Sequence, residues 1–181
     1  MRVVAGKNRG TQLKTPEGMQ TRPTTDRVKE AMFSIIHFDV PGATVLDLFG
    51  GTGQLGIEAL SRGADRTVFV DALPKACALI RENLRRCHLE SQATVVQGDY
   101  LQYLRRCREQ FDIILLDPPY AEVFLENALK CITEIDILKT NGIIVAERPV
   151  GKEIPGDLAG FSRSKDYKYG TVLITLYRKD G

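Results

Sequence analysis

Four aspartates, Asp47, Asp71, Asp99 and Asp117, follow closely on four short apolar runs: Thr44–Leu46, Thr67–Val70, Ala93–Gln97 and Ile113–Leu116. If those runs are neighbouring parallel strands, the acids stand along one rim of a sheet, at the end where ligands bind. An Asp after a strand is by itself commonly a helix N-cap. Four in succession point further, to a ligand rich in hydrogen-bond donors. A carboxylate at the second strand can take both hydroxyls of a ribose, and one at the third can accept from an adenine exocyclic N–H.

The segment Val45-Leu46-Asp47-Leu48-Phe49-Gly50-Gly51-Thr52-Gly53-Gln54-Leu55-Gly56 carries a buried strand through a glycine turn into a helix, so that backbone can approach a ligand closely. Gly51, Gly53 and Gly56 also satisfy the dinucleotide fingerprint, with Asp71 about twenty residues on as the ribose acid. Asp47 beside the turn suits a positively charged ligand, the methionine end of S-adenosylmethionine, better than a pyrophosphate. A tight turn without any ligand is the plain alternative.

The sequence Asp117-Pro118-Pro119-Tyr120 is the most specific signal. Two prolines hold the backbone extended and leave the Pro118 carbonyl without a competing donor, so Asp117 and that carbonyl can accept from one planar amine. The amine of a nucleobase is a poor nucleophile because its lone pair is delocalised into the ring. Two acceptors on its hydrogens favour a pyramidal nitrogen and return the lone pair for attack on a methyl carbon. Tyr120 offers a face for the extracted base, a stacking worth about 1–3 kcal/mol. Otherwise the segment is a Pro-Pro loop with a capping Asp.

These residues need a framework, and the chain alternates accordingly. Strand-like runs fall at 44–49, 67–71, 93–97, 111–117 and 143–147, with a final pair at 161–166 and 171–178. Helical stretches fall near 54–62, 74–87, 100–107 and 121–133, and an amphipathic helix with a Thr near its N-cap starts at Thr25. The pattern predicts an α/β fold: a Rossmann-like, doubly wound, mostly parallel sheet of seven strands, its last two forming an antiparallel edge hairpin that turns at 167–170. Ahead of it lie a small β-hairpin (Val3–Ala5, a turn at 6–10, then Leu13) and the helix. The expected division is 1–40 as a basic, RNA-contacting extension and 41–181 as the catalytic domain.

With 181 residues the chain is long enough for one sizeable core. No apolar run is long enough for a membrane span and the start lacks a signal-like segment, so a cytosolic protein is expected. Cys77, Cys87, Cys107 and Cys131 form no CxxC pair and the only histidines are His37 and His88, so no metal site is expected and the cysteines read as free thiols. The net charge of +2 hides an asymmetry: residues 1–30 hold seven basic and three acidic side chains, or +4, and the rest of the chain carries −2. A basic hairpin is often merely solvated. Placed beside a site that must extract a base, it also reads as a grip on phosphates.

The order of glycine turn, strand-end acids and Asp-Pro-Pro-Tyr resembles the class I S-adenosylmethionine-dependent methyltransferases that act on amino groups. Arg2–Gly6 with Arg9-Gly10 and Leu13, the Arg22-Pro23-Thr24-Thr25-Asp26-Arg27-Val28-Lys29-Glu30 segment, and Leu55-Gly56-Ile57-Glu58-Ala59-Leu60-Ser61-Arg62-Gly63-Ala64 resemble more closely the RsmD-type 16S rRNA guanine-N2 methyltransferases. The resemblance spans nearly the whole chain, with Gly-Gly-Thr-Gly-Gln where Ala-Gly-Ser-Gly-Ala is more usual and Asp71 where Glu is common. It implies methyl transfer from S-adenosylmethionine to guanine N2 of small-subunit rRNA by a monomer. Asp117, Pro118 and Tyr120 would hold the base. Asp47, Phe49, Gly50, Gly51, Thr52, Gly53, Asp71, Ala72, Asp99 and Tyr100 would hold the cofactor. Arg2, Lys7, Arg9, Arg22, Thr24, Arg27 and Lys168 would meet RNA. An adenine-N6 methyltransferase of DNA or RNA uses the same motif and stays open, whereas an oxidoreductase would leave Asp117-Pro118-Pro119-Tyr120 unexplained.

Overall fold

A computed structural model describes residues 1–17, 23–119 and 123–181, with the backbone alone at 23–25. Its elements run α1 (Pro23–Ile35), β1 (Thr44–Asp47), α2 (Gln54–Ser61), β2 (Arg66–Asp71), α3 (Pro74–Cys87), β3 (Ala93–Gln97), α4 (Tyr100–Arg106), β4 (Phe111–Leu116), α5 (Phe124–Glu134), β5 (Leu138–Pro149), β6 (Phe161–Arg163), β7 (Tyr167–Tyr169) and β8 (Val172–Lys179). One sheet collects all the strands in the order β3-β2-β1-β4-β5-β8-β6, with β7 also on β8. The first five positions are parallel and the β8 pairings antiparallel.

The apolar runs are nearly continuous because both faces of the sheet are covered. Side chains alternate between two cores. Val45, Phe69, Ile113, Leu115, Ile143 and Val145 pack with α1, α2 and α3, while Leu46, Val68, Val70, Ile114, Leu116 and Ile144 pack with α4 and α5. Each fully buried Leu, Ile or Val contributes about 1.5–3 kcal/mol to this sandwich. Among the described residues no helix is long and apolar enough to cross a membrane.

Several elements differ from the sequence reading. The α1 helix starts at Pro23, not Thr25, because proline is suited to a first turn where its missing N–H is not needed. β5 begins at Leu138, five residues early; Lys139, Thr140 and Asn141 hide its start by interrupting the apolar pattern, and the pairing with β4 shifts register there. The expected strand 161–166 is two pieces. Ser164 bonds Leu176 through backbone and hydroxyl, and Asp166 accepts from Arg148, Arg163 and Thr175, which bends the chain before it rejoins β8 as β7. Tyr167–Tyr169 is therefore strand, and the turn falls at Gly170. Since β8 gives one edge to β5, both β6 and β7 occupy the other, which makes eight strands in seven positions.

The N-terminal segment is a hooked arm with one isolated bridge, Arg2 to Gln12, in place of a regular hairpin. Its shape comes from what it is fastened to. Glu58 of α2, fully buried, accepts the N–H groups of Val4 and Ala5 at 2.9 and 3.0 Å. Ser61 donates its hydroxyl to the Ala5 carbonyl and accepts the Asn8 N–H, and its own carbonyl takes the Lys7 N–H. Val3 and Leu13 join the same core as α1 and α2.

Candidate active site

The strand order turns four separate Asp positions into one row. β3, β2, β1 and β4 are consecutive neighbours, so Asp99, Asp71, Asp47 and Asp117 follow one another along the carboxyl edge. The connections diverge between β1 and β4, the place where open α/β sheets leave a crevice. A cavity of about 1110 Å³ occupies it, in the range that holds a nucleoside-sized ligand with room beside it.

One wall is the turn after β1. Gly53 has φ +81, a left-handed conformation that glycine adopts without strain, and it turns the chain into α2. The Gly51 N–H is held by Asp71 Oδ2 at 2.8 Å, and Asp71 Oδ1 accepts the Leu73 N–H at 2.9 Å, so the second-strand acid shapes both loops that it lies between. Asp99 caps α4 through the Gln102 N–H at 3.0 Å. Capping and ligand contact are compatible here, because both acids also border the cavity and each carboxylate oxygen has more than one lone pair.

Among the residues expected at a cofactor, Phe49, Gly51, Thr52, Asp71, Ala72, Asp99 and Tyr100 line the cavity, as do Asp117 and Pro118 from the expected catalytic set. Gly50 and Gly53 are buried, belong to the turn and are not part of the lining. Asp47 departs from expectation: at 1% exposure it lies under the glycine turn rather than on the cavity wall. Its Oδ2 accepts the Gly56 N–H of α2 at 3.0 Å, and its Oδ1 has no partner among the described residues. Burial raises its pKa to about 7, with the Gly56 hydrogen bond opposing the shift and the Asp71 charge adding to it. Burial raises Asp117 well above the usual carboxylate range, and the charges of Glu147 and Asp47 push the same way. Tyr120 and Arg22 lie outside the described residues, as does the Thr24 side chain.

Several lining residues had not been expected. Phe124, at the first turn of α5, meets Tyr100 edge to face at 5.5 Å and Phe49 at 6.2 Å, so three aromatic rings close one end of the cavity. Leu73, the residue capping α3, and Ala76 and Leu79 on that helix also line the cavity. They form a second apolar stripe on α3, separate from the core stripe of Cys77, Ile80, Leu84 and Cys87, and that doubled periodicity was readable in the sequence. Thr15, Pro16 and Glu17, at the end of the arm, reach the cavity as well. Their presence depends on Asn83 and could not be read locally.

Among the described residues, the expected RNA contacts differ in exposure and pairing. Arg9, Arg27 and Lys168 are exposed. Arg2 is paired with Asp26 at 3.2 Å, and Lys7 donates to the Gln92 side chain at 2.7 Å. Lys29, counted with the basic arm, is 1% exposed: its ammonium donates to the Arg2 carbonyl at 2.5 Å and lies 3.7 Å from Glu58. Burial lowers its pKa, and Glu58 and Asp26 work against that. Lys14 pairs with Glu82, so the arm presents less free charge than a count suggests.

A family model described as "Conserved hypothetical protein 95" matches residues 1–178. A Bacillus subtilis protein described as "Putative rRNA methyltransferase YlbH" is 39% identical, with the alignment covering 100% of both chains. "Ribosomal RNA small subunit methyltransferase D" of Haemophilus influenzae is 34% identical over 98% of this chain and 93% of its own. The solved Escherichia coli structure described as "Putative methyltransferase yhhF" superposes with a TM-score of 0.89 at 27% identity, covering 99% of this chain and 98% of that one. With the family model and full-length relatives in agreement, the chain belongs to the RsmD family of methyltransferases.

Proposed function

We propose that the protein transfers a methyl group from S-adenosylmethionine to the exocyclic N2 amine of a guanine in 16S rRNA. The observation that carries this reading is the cavity at the carboxyl edge of β1 and β4, whose lining brings Asp117 and Pro118 together with the glycine turn and the three aromatic rings. The donor set fits the cofactor. Asp47, buried under the glycine turn with its Oδ1 lacking a partner among the described residues, places negative potential beneath the cationic methionine end without touching it, Asp71 and Asp99 are rim acceptors for ribose and adenine, and Phe49, Tyr100 and Phe124 offer apolar ring surface.

When bound, the cofactor supplies a methyl on a sulfonium sulfur, to which the C–S bonding pair returns as the methyl leaves. Asp117 and the Pro118 carbonyl accept the two N–H bonds of the target amine, localising its lone pair on nitrogen. After transfer the nitrogen carries one proton too many, and Asp117, whose affinity for protons is raised, is placed to take it. Most of the acceleration is positional, since the two reactants are held in line rather than met by chance. Arg9 of the arm and Arg27 of α1, both exposed, would bind rRNA phosphates.

The test is methylation of 16S rRNA and of small ribosomal subunits by the purified protein with labelled cofactor, followed by nucleoside analysis. N2-methylguanine is expected, and Asp117→Ala should bind cofactor normally while losing at least about a hundredfold in turnover, as removal of a group acting on the reacting atom does. N6-methyladenine as product would favour the second reading of the motif. Full turnover by Asp117→Ala would remove Asp117 from the reaction.

A further inference from the structure

The helix α3 turns a third face to solvent. Cys77, Ile80, Leu84 and Cys87 are buried, whereas Lys75, Ala78, Glu82 and Arg85 follow at steps of three and four residues and so share another stripe, with Arg81 and Arg86 beside it. Four basic side chains and one acid make this helix locally cationic, within a stretch, residues 31–181, that carries −2 overall.

Little of that charge is used up by neighbours. Lys75, Arg81, Arg85 and Arg86 are all exposed, and Lys75 and Arg85 have no hydrogen bond or ion pair among the described residues. Arg86 lies 3.9 Å from Glu82, an acid that Lys14 of the arm already holds. Arg81 donates to the Val95 carbonyl at 3.4 Å, on the edge strand of the sheet. Cations in the last turn of a helix stabilise it by about 0.3–1 kcal/mol, which accounts in part for Arg85 and Arg86. It does not account for Lys75. In a first turn that contains no acid, a cation meets the positive end of the helix and is unfavourable. Lys75 lines the cavity.

The arm extends the same surface. Lys7 donates to Gln92, Asn8 Nδ2 donates to the Cys87 carbonyl at 2.8 Å, and Lys14 pairs with Glu82. These contacts set Arg9, next to Asn8, beside the last turn of α3 and bring Lys14 onto its stripe, from which Thr15–Glu17 continue to the cavity. From Lys75 to Arg86 the helix advances about 16 Å, long enough to follow several phosphates of one strand.

We propose that the outer face of α3, through Lys75, Arg85 and Arg86, binds the phosphates of the rRNA strand that leads the target nucleotide into the cavity, with Lys14 and Arg9 of the arm alongside. The inference rests on the rRNA reading given above and adds to it a surface outside the basic N-terminal segment. These side chains position the substrate and do not touch the reacting atoms.

The test is rRNA binding by the full chain over a series of salt concentrations. Arg85→Gln with Arg86→Gln should weaken binding and reduce the slope of log affinity against log salt by about 1.4–1.8, while cofactor-product affinity holds. Arg85→Lys with Arg86→Lys keeps the charge and should keep most of the slope, which separates phosphate binding from damage to the helix end. Arg105→Gln with Arg106→Gln removes the same charge from the last turn of α4, whose core lies on the other face of the sheet, and should leave the slope near the wild-type value. Lys75→Gln alone should lower the slope by about 0.7–0.9. An unchanged slope in the folded Arg85→Gln, Arg86→Gln protein, or an equal fall in the α4 variant, overturns the role of α3 alone. A wild-type protein that neither binds nor methylates rRNA overturns the underlying reading and the inference with it.

Discussion

The side chain of Asn83 and the backbone of Lys14 exchange two hydrogen bonds: Asn83 Oδ1 accepts the Lys14 N–H at 2.7 Å, and Asn83 Nδ2 donates to the Lys14 carbonyl at 3.0 Å. The same Nδ2 donates to the Thr52 carbonyl at 2.8 Å. One fully buried amide on α3 thus ties the end of the arm to the glycine turn and brings Thr15–Glu17 over the cavity.

Replacing that amide strands three backbone groups. Asn83→Ala should cost about 2–4 kcal/mol in urea unfolding, since each buried group left without a partner costs about 1–3 kcal/mol and part of the loss is recovered by water. Cofactor-product affinity, read by calorimetry, should fall as well, because the turn that carries Gly51 and Thr52 loses its tether. Unchanged affinity in a destabilised variant would limit Asn83 to a structural role.

Two glycines of the arm separate conformational strain from steric collision. Gly6 and Gly10 have φ of +82 and +87, but a Cβ on Gly6 would stand 1.9 Å from the Ser61 carbonyl oxygen, and one on Gly10 meets nothing within 4 Å. Gly10→Ala should cost about 1–2 kcal/mol, the ordinary penalty of a left-handed residue. Gly6→Ala adds a backbone collision and should release the arm from α2. Thermal melts give the first comparison, and trypsin cleavage after Lys7 and Arg9 gives the second, with rapid cleavage expected only for Gly6→Ala.

Asp47 makes stability depend on pH in an unusual direction. Its pKa is about 7 in the fold against 3.8 ordinarily, so between those values the native state binds more protons than the unfolded chain, and stability falls as pH rises. The shift sets a ceiling of ~4 kcal/mol on the effect, which is complete above pH 7. Asp47→Asn keeps an oxygen for the Gly56 N–H and cannot ionise. It should unfold at higher urea than the wild type at pH 8, with the gap narrowing on acidification towards pH 4. A cationic ligand group near Oδ1 favours the ionised form, so S-adenosylmethionine affinity of the wild type should rise from pH 6 to pH 8 and that of the variant stay flat.

The exposed cations of the arm and of α1 are tested by salt. Arg9→Ala with Arg27→Ala should weaken rRNA binding and reduce the slope of log affinity against log salt by roughly 1.4–1.8, about 0.7–0.9 for each phosphate no longer neutralised. Cofactor affinity should hold. An unchanged slope would place the RNA-binding surface elsewhere.

The sequence by itself determined the alternation of elements, the glycine turn after β1, the strand-end acids and the Asp-Pro-Pro segment. Each depends on residues within a few positions of one another: β-branched runs covered on both faces, glycine where φ must be positive, proline where no N–H is wanted. Tertiary structure alone decided which acids meet. Asp99, Asp71, Asp47 and Asp117 form a row because the strand order is β3-β2-β1-β4. Asp47 is buried because α2 covers its face of the sheet, and Lys29 is withdrawn from the surface because Glu58 on that helix lies opposite α1. Local patterns set which element a residue is in. Non-local packing sets its neighbours, and a carboxylate's proton affinity and an ammonium's availability follow from those neighbours.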